Sequence, residues 1–403
     1  MQIKIILLAG ILWLSSSVAS AQVAIKASVI YTVSGTSFRN GVILIKNGKI
    51  ENVGTASAVS IPNGYKVYQA NVVTPGLIDA RTVIGMSGVL NISVDQDQIE
   101  KSNPIQPDLR AIDAYNPDEP LVKIARECGI TTIHTGHGIG ALVSGQTMIA
   151  KTKPGTVERV TIQPLSMLAM TIGPSVSGNY SSPGTKAKQM AMIRTELLKA
   201  QFYLKKMSDK DSSKRPTFDL NMDMLSKMLK REIKALITAN SSVDIMNAIR
   251  LSKEFNLSLV LDGAAEAYRL IDEIKVAKAE IILHATMARN EDDMVNMTRE
   301  SAQILTAAGI PVSIESGYEG YVPKTRIVLY EAALAMANGL SFDNALKSIT
   351  INPAKLLGID NRVGSIEIGK DADIVLYDGD PFEYTTKVCT VFIDGEVVSD
   401  KCK

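Results

Sequence analysis

The spacing of apolar and polar residues changes twice along the chain. From Ala24 to about Val73 the two kinds alternate in short runs, and the segment VILIKNGKIENVG turns at Asn47-Gly48, a strong hairpin signal. The end of the chain has the same pattern, with a second hairpin whose turn is Asp394-Gly395. We therefore predict that the two β-rich ends, residues 22–74 and 353–403, meet in one small β-sandwich domain.

Residues 75–352 have a different pattern, in which helical periodicity alternates with short apolar runs. Most helical runs end in Gly or Asn, the residues favoured at helix C-termini. This order predicts an α/β fold with parallel strands and crossover helices, and its length fits a (β/α)8 TIM-like barrel. A doubly wound open sheet is the alternative, because periodicity does not show whether a sheet closes. The paired runs are EPLVKIARECG with ITTIHT, VDIMNAIRLSKEFN with LSLVLDG, EAYRLIDEIKVAKA with EIILHAT, and TRESAQILTAAG with IPVSIES.

The segment from about residue 175 to 234 interrupts this rhythm. It combines the loop-like stretches SGNYSSPGTK and KKMSDKDSSKRP with two helical stretches rich in methionine. Methionine at helical spacing is typical of a core-facing side, and a Met-lined ligand surface is the alternative. We predict a helical insertion beside the barrel mouth.

The first residues have the pattern of an export signal. Lys4 supplies a positive charge, residues 5–14 an apolar segment, and residues 19–21 a small-residue cleavage site. This predicts a signal peptide over residues 1–21, cleavage near Gln22, and a soluble protein in the periplasm or outside the cell. No later segment is long and apolar enough for a membrane span.

Composition narrows the class of partner. The chain has 403 residues, 46% of them hydrophobic, and its 43 basic and 42 acidic residues give a net charge of +1. This balance favours a small-molecule ligand and argues against a nucleic acid or an anionic membrane as partner. Cys389 and Cys402 flank the second predicted hairpin, so a disulfide between them is a candidate in an oxidising compartment. Cys128 is expected to be a buried small residue.

Several motifs resemble one family. TPGLIDARTVIG, VSGQTMIAKTKPGTVE, LDGAAEAY and NPAKLLGIDNRVGSIEIGKDADIVLYDGDPF occur in this order, and the chain resembles the exported, imidazolonepropionase-like branch of the amidohydrolase superfamily. The resemblance implies a barrel with a composite β-sandwich and hydrolysis of non-peptide carbon–nitrogen bonds, often in cyclic amides. It also implies a divalent metal such as zinc, held at the strand ends by imidazoles and a carboxylate.

The positions that this resemblance assigns to the metal ligands carry other residues. The family's first barrel strand reads PGLIDxHxH, and here Arg81 and Val83 stand at the two histidine positions. Arginine keeps its proton and valine has no donor atom. Where similar proteins have a His-Ala-His run, this chain has Thr238, Ala239 and Asn240, whose oxygens are poor zinc ligands.

Two further strand ends also lack the metal ligands that the resemblance implies. Gly263 stands where the family has a histidine, and Gly317 is the nearest residue to the position of a family aspartate. Glu315 would supply that carboxylate only if the register shifted. Since imidazoles are missing at three strand ends, we expect no metal cofactor at the usual site, and we assign no catalytic residue there.

The chain's three histidines offer a weaker alternative site. His134, His137 and His284, with Glu315, are the candidate catalytic residues that remain. His134 and His137 lie three residues apart on a strand, so their side chains converge only if the chain turns at Gly136. We interpret lone histidines as structural or rim residues.

The sequence therefore predicts an amidohydrolase-family protein that is inactive or weakly active as a metal-dependent hydrolase. In this interpretation Arg81 takes the electrostatic place of the metal and pairs with Asp262, Glu315 or an anionic ligand. A working hydrolase of cyclic amides with a rebuilt site is one alternative. The others are a non-catalytic binding protein that uses the barrel cleft and an accessory subunit that pairs with an intact family member; a homo-oligomer is a further expectation.

Overall fold

The computed structural model describes residues 22–90, 92–283, 292–319, 322–323 and 328–402. The predicted signal peptide and His284 lie outside these residues. The strands are β1 Val23–Ile30, β2 Phe38–Lys46, β3 Lys49–Thr55, β4 Lys66–Pro75, β5 Leu77–Thr82, β6 Ile130–Gly136, β7 Val143–Lys151, β8 Thr161–Gln163, β9 Met167–Thr171, β10 Lys234–Ala239, β11 Leu259–Gly263, β12 Glu280–Leu283, β13 Val312–Ile314, β14 Tyr318–Glu319, β15 Val322–Pro323, β16 Ile374–Tyr377, β17 Val388–Ile393 and β18 Glu396–Asp400.

Helices connect most of the barrel strands. Short 3₁₀ turns occupy Ser93–Asp95, Ser212–Lys214, Ala267–Arg269 and Asp292–Met294. In the part of the chain that the structure describes, no helix is long and apolar enough to span a bilayer. The α-helices are α1 Ala111–Ala114, α2 Pro120–Glu127, α3 Val157–Val160, α4 Pro174–Asn179, α5 Lys186–Met207, α6 Leu220–Leu229, α7 Ser242–Phe255, α8 Ile271–Ala277, α9 Ser301–Ala307, α10 Val328–Ala337, α11 Phe342–Ser348 and α12 Ile351–Leu356.

Both ends of the chain contribute to one seven-stranded sheet. Its order is β18-β17-β16-β4-β1-β2-β3, so that β4 pairs with β1 on one side and with the C-terminal β16 on the other. Apolar residues of both ends share its core, among them Ile25, Ile43, Ile374 and Phe392. The composite sheet predicted from the β-rich ends is confirmed.

The two predicted hairpins are also confirmed, and their turns contact each other. Asn47 and Gly48 have φ of 53° and 76°, and Asp394 and Gly395 have φ of 52° and 74°. A Cβ on Gly395 would lie 3.0 Å from the Cα of Gly48, and one on Gly48 would lie 2.9 Å from the carbonyl oxygen of Asp394. Glycine is therefore needed in both turns for conformation and for close approach.

Near the second hairpin the structure contains a disulfide between Cys389 and Cys402, thirteen residues apart. It joins the start of β17 to the chain just after β18, the edge strand of the sheet. Cys128 is half-buried.

The second large sheet is the barrel, in the order β13-β12-β11-β10-β9-β7-β6-β5. The circle closes where the main-chain N–H of Ser316, just after β13, donates to Oδ1 of Asp79 in β5 at 3.0 Å. The sheet is therefore a nearly closed barrel, and the doubly wound alternative is wrong. Inside it, residues such as Ile78, Ile149 and Leu236 pack against the segment that follows α12.

One strand contradicts the prediction of parallel strands throughout. β7 runs antiparallel to both β6 and β9, while the other neighbours in the barrel are parallel. Only residues 137–142 separate β6 from β7. A parallel crossover needs a dozen or more residues, so this short connection can only make a hairpin.

The segment between β9 and β10 contains α4, α5 and α6. Met190, Met224 and Met228 are buried there in the main hydrophobic core. These methionines are core residues, as their spacing predicted.

An ionic network joins the barrel to the composite sheet. Lys151, the last residue of β7, is 2% exposed, and its Nζ donates to Asp371 at 2.8 Å, to Asp373 at 3.0 Å and to Asp394. Burial alone would raise the pKa of Asp371, but the charge of Lys151, with hydrogen bonds from Lys151 and Lys49, lowers it to about 2. One buried cation therefore holds three carboxylates that come from the far end of the chain.

Candidate functional site

The ends of β5, β11 and β13 bring four ionisable side chains to the barrel mouth. Asp79, Arg81, Asp262 and Glu315 are 0%, 5%, 2% and 4% exposed. They occupy three different strand ends, and the three carboxylates all act electrostatically on Arg81. We call these four residues the mouth cluster.

Arg81 donates to main-chain oxygens. Its Nη1 donates to the carbonyl oxygen of Thr82 at 3.0 Å and its Nη2 to that of His137. Burial lowers the pKa of the guanidinium, and the charges of Asp262, Glu315 and Asp79 oppose this effect. The predicted direct pairing with Asp262 is not observed: Arg81 acts on that carboxylate through its field rather than through a hydrogen bond.

Burial raises the pKa values of two of the mouth carboxyls, Asp79 and Glu315. Burial raises the pKa of Asp79 to about 6, although hydrogen bonds from Ser316 and the charge of Arg81 lower it. Burial, with the neighbouring charges of Asp262 and Asp79, raises the pKa of Glu315 well above its ordinary value. Both shifts favour the protonated form of these two carboxyls, so the mouth cluster carries less negative charge than three fully ionised carboxylates would.

The positions that the resemblance assigns to metal ligands have structural contacts of their own. Val83 is 2% exposed and its Cγ1 lies 3.6 Å from the place of a Cβ on Gly138. Thr238 donates from Oγ1 to Oδ2 of Asp262 at 2.5 Å. Asn240 donates from Nδ2 to Asp293 at 3.3 Å.

Gly263 and Gly317 occupy positions with left-handed backbone. Their φ angles are 77° and 76°, a region that residues with a side chain rarely adopt. A Cβ on Gly263 would also lie 2.5 Å from Oδ1 of Asn240. The backbone conformation and the closeness of Asn240 therefore disfavour any side chain at this position.

Two of the three histidines are described, and they have different surroundings. The Nδ1 of His134 donates to the carbonyl oxygen of Ala80 at 2.8 Å, and its Nε2 lies 2.7 Å from Oγ1 of Thr147. Burial and the charge of Arg81 lower the pKa of His134 to about 3. Both nitrogens are engaged, so His134 is a structural residue of the barrel wall.

His137 follows the end of β6 and is 5% exposed. Neither of its ring nitrogens has a hydrogen-bond partner among the described residues. Burial and Arg81 lower its pKa to about 4, so the ring is neutral at pH 7. No group of three or more His, Cys, Asp and Glu side chains suited to a metal ion occurs within the described ranges.

A sequence model described as the amidohydrolase family matches residues 72–398, most of the chain. The chain belongs to the amidohydrolase family. This amidohydrolase match covers both the barrel and part of the composite sheet, as the resemblance predicted.

Similar proteins agree with this assignment. Amidohydrolase tasK of Hapsidospora irregularis is 24% identical over 89% of this chain but only 40% of its own length, so this chain spans less than half of that relative. An imidazolonepropionase of Fusobacterium nucleatum is 24% identical over 86% of each chain. Among solved structures, an amidohydrolase from Thermotoga maritima matches 94% of this chain and all of its own, with 28% identity and a TM-score of 0.88.

Sequence reasoning missed the residues that organise the mouth cluster. Ser316 binds Asp79 through both its main-chain N–H and its hydroxyl, and Thr238 binds Asp262. Ser316 directly follows Glu315, so it lay beside a residue that the motif comparison singled out. Its partner is 237 positions away, a distance that no local pattern reports.

Proposed function

We propose that this amidohydrolase-family protein does not hydrolyse carbon–nitrogen bonds with a metal, and that it uses the barrel cleft to bind a small ligand. The observation that carries the proposal is the mouth cluster. The guanidinium of Arg81 is buried beside Asp79, Asp262 and Glu315 and supplies a positive charge there. The mouth residues do not fit zinc, because among the described residues no three thiolate, imidazole or carboxylate side chains are grouped as a zinc site requires.

Electrostatics supports the same conclusion. A divalent cation about 4 Å from the guanidinium would be repelled by about 8 kcal/mol at an effective dielectric constant of 20. The raised pKa of Glu315 favours its protonated form, which weakens the negative charge that this carboxyl could offer a cation. Accessory pairing with an intact family member is a second form of this proposal, in which the same cleft or its rim is the binding surface.

A variant that restores the family's HxH pair tests the proposal. Arg81→His/Val83→His places two imidazoles at the first strand end, and Gln69→His/Asn71→His places an equally spaced pair on β4, where both residues are exposed. We expect both variants to bind zinc equally weakly in equilibrium dialysis, because Asp79 and Asp262 are held by Ser316 and Thr238 and no three donors among the described residues are grouped as a metal site requires. Circular dichroism checks that each variant is folded.

Tight binding of about one zinc per chain by the mouth variant alone would contradict the proposal, since a site with enough donors would then exist. Wild-type protein purified with about one equivalent of zinc, manganese or iron per chain would also contradict the proposal.

The rival function is hydrolysis of a cyclic amide at a rebuilt site. One observation favours it: the neutral ring of His137 has no hydrogen-bond partner among the described residues. Turnover of hydantoins or lactams that is lost in His137→Ala would support this rival. We expect no turnover above that of the buffer.

A further inference from the structure

The helical insertion has an unusual distribution of charge. Residues 186–231 contain twelve Lys and Arg but five Asp and Glu, a surplus of seven positive charges. Because the whole chain carries +1, the rest of the molecule has a surplus of six negative charges. The balanced total, which argued against an anionic partner, hides a strongly basic segment.

Large apolar side chains are exposed on this basic segment. Leu198 and Phe202, one helical turn apart on α5, are 56% and 58% exposed. Ile193, Leu197 and Ala200 form the opposite, buried side of the same helix. Leu198 and Phe202 therefore lie on the solvent side of α5, away from the core.

A second pair of exposed apolar residues lies at the start of α6. Phe218 and Leu220 are 59% and 63% exposed and flank Asp219, the residue that caps α6. The main-chain N–H of Asp219 donates to the hydroxyl of Tyr203 at 3.3 Å, which ties the start of α6 to the residue that follows Phe202. We call Leu198, Phe202, Phe218 and Leu220 the apolar patch.

Two lysines lie beside the α5 part of the apolar patch. Lys205 and Lys206 follow Phe202 by three and four positions, so they extend the same exposed side of α5. Nζ of Lys206 lies 4.6 Å from the centre of the Phe202 ring. Within the described ranges neither lysine is in an ion pair, so both charges are available to a partner.

We propose that this face of the insertion docks on an anionic lipid surface. An exposed apolar strip bordered by long cationic side chains is the combination that binds the interface of a bilayer, where the apolar groups insert and the lysines contact lipid phosphates. A polyanion without exposed apolar groups, such as heparin, would meet the charges but leave Leu198 and Phe202 without an apolar environment. Lipid is therefore the partner that uses both features.

Vesicle co-sedimentation tests the docking surface. The protein is the chain from Gln22, which excludes the apolar segment before it, and the vesicles are phosphatidylcholine alone or mixed with phosphatidylglycerol. We expect binding to the mixed vesicles that weakens as salt rises. Lys205→Glu/Lys206→Glu should lower the partition coefficient on the order of tenfold or more, since each basic residue near an anionic surface contributes about 1 kcal/mol.

Two further variants separate the alternatives. Leu198→Ser/Phe202→Ser should also weaken vesicle binding, whereas the matched control Lys123→Glu/Lys275→Glu, on exposed lysines of α2 and α8, should not. Absence of binding, equal binding to both vesicle types, or equal loss in the control would overturn the proposal. So would retained binding in the serine variant together with tight binding to heparin, a result that indicates an acidic macromolecule.

Discussion

At the scale of single residues, Asp79 helps to close the barrel, but the burial of its carboxyl also lowers the stability of the folded protein as the pH rises. Its carboxylate receives two hydrogen bonds from Ser316 across the last gap in the barrel. The same position is fully buried, and burial raises the pKa from 3.8 to about 6. The folded protein therefore holds the proton of Asp79 at pH values where the unfolded chain has lost it.

This difference predicts a pH effect. Between pH 4 and 6 the contribution of Asp79 to the free energy of unfolding falls as the pH rises, by up to about 1.4 kcal/mol per pH unit. Asp79→Asn removes this dependence. As the pH rises from 4 to 6, we therefore expect the free energy of unfolding of the variant to increase relative to that of the wild type by up to about 1.4 kcal/mol per pH unit. Urea unfolding at pH 4, 5 and 6 measures it.

The control for this experiment is Asp272→Asn, at an exposed site on α8. Its difference from the wild type should stay constant over the same range. A constant difference for Asp79→Asn as well would show that the carboxyl is not buried as described.

The candidate site was predictable at the level of residue types but not of contacts. The motif PGLIDxHxH located Arg81 and Val83, because a strand end is a local feature. Which groups lie around Arg81 depends on β11 and β13, far along the chain. The sequence suggested a pair with Asp262, Glu315 or an anionic ligand, and it did not reveal that the guanidinium donates to main-chain oxygens.

At the scale of elements, periodicity located most strands and both hairpins. It did not reveal the direction of β7, because alternation looks the same in either direction. The length of the loop before it, residues 137–142, carried that information.

β7 also carries Lys151, and this predicts a large effect of one substitution. Lys151→Met leaves Asp371, Asp373 and Asp394 without their shared buried cation, so we expect a loss of about 3–5 kcal/mol in the free energy of unfolding. In the wild type the contribution of Asp371 is present above its unfolded pKa and is lost as the pH falls toward about 2. Urea unfolding at pH 7 measures the substitution.

Lys153→Met is the matched comparison, since among the described residues Lys153 forms an ion pair with Asp394 alone, and its side chain is 28% exposed. It should cost less than about 1 kcal/mol. Equal effects of the two substitutions would show that the network does not join the barrel to the composite sheet.

At the scale of the whole molecule, the two chain ends depend on each other. β4 has β1 on one side and the C-terminal β16 on the other. A chain truncated after residue 370 lacks three strands and all the acidic partners of Lys151. We expect it to be insoluble or to lack a cooperative thermal transition.

A chain truncated after residue 378 keeps β16, Asp371 and Asp373 but lacks β17, β18 and Asp394. We expect this chain to fold with reduced stability, which calorimetry would detect. Native-like melting of the shorter chain would show that the N-terminal strands and the barrel do not need the C-terminal sheet.

The pairing of β4 with the C-terminal β16 has a consequence for the chain while it is being synthesised. The first four strands leave the ribosome early, but the strand that covers the open edge of β4 is made about 300 residues later, roughly 15 to 60 s at ordinary rates of translation. During that interval the nascent chain exposes an unpaired strand edge, which is a site for aggregation. We therefore expect a chaperone that binds the first strands during translation to prevent aggregation better than one that binds the completed chain.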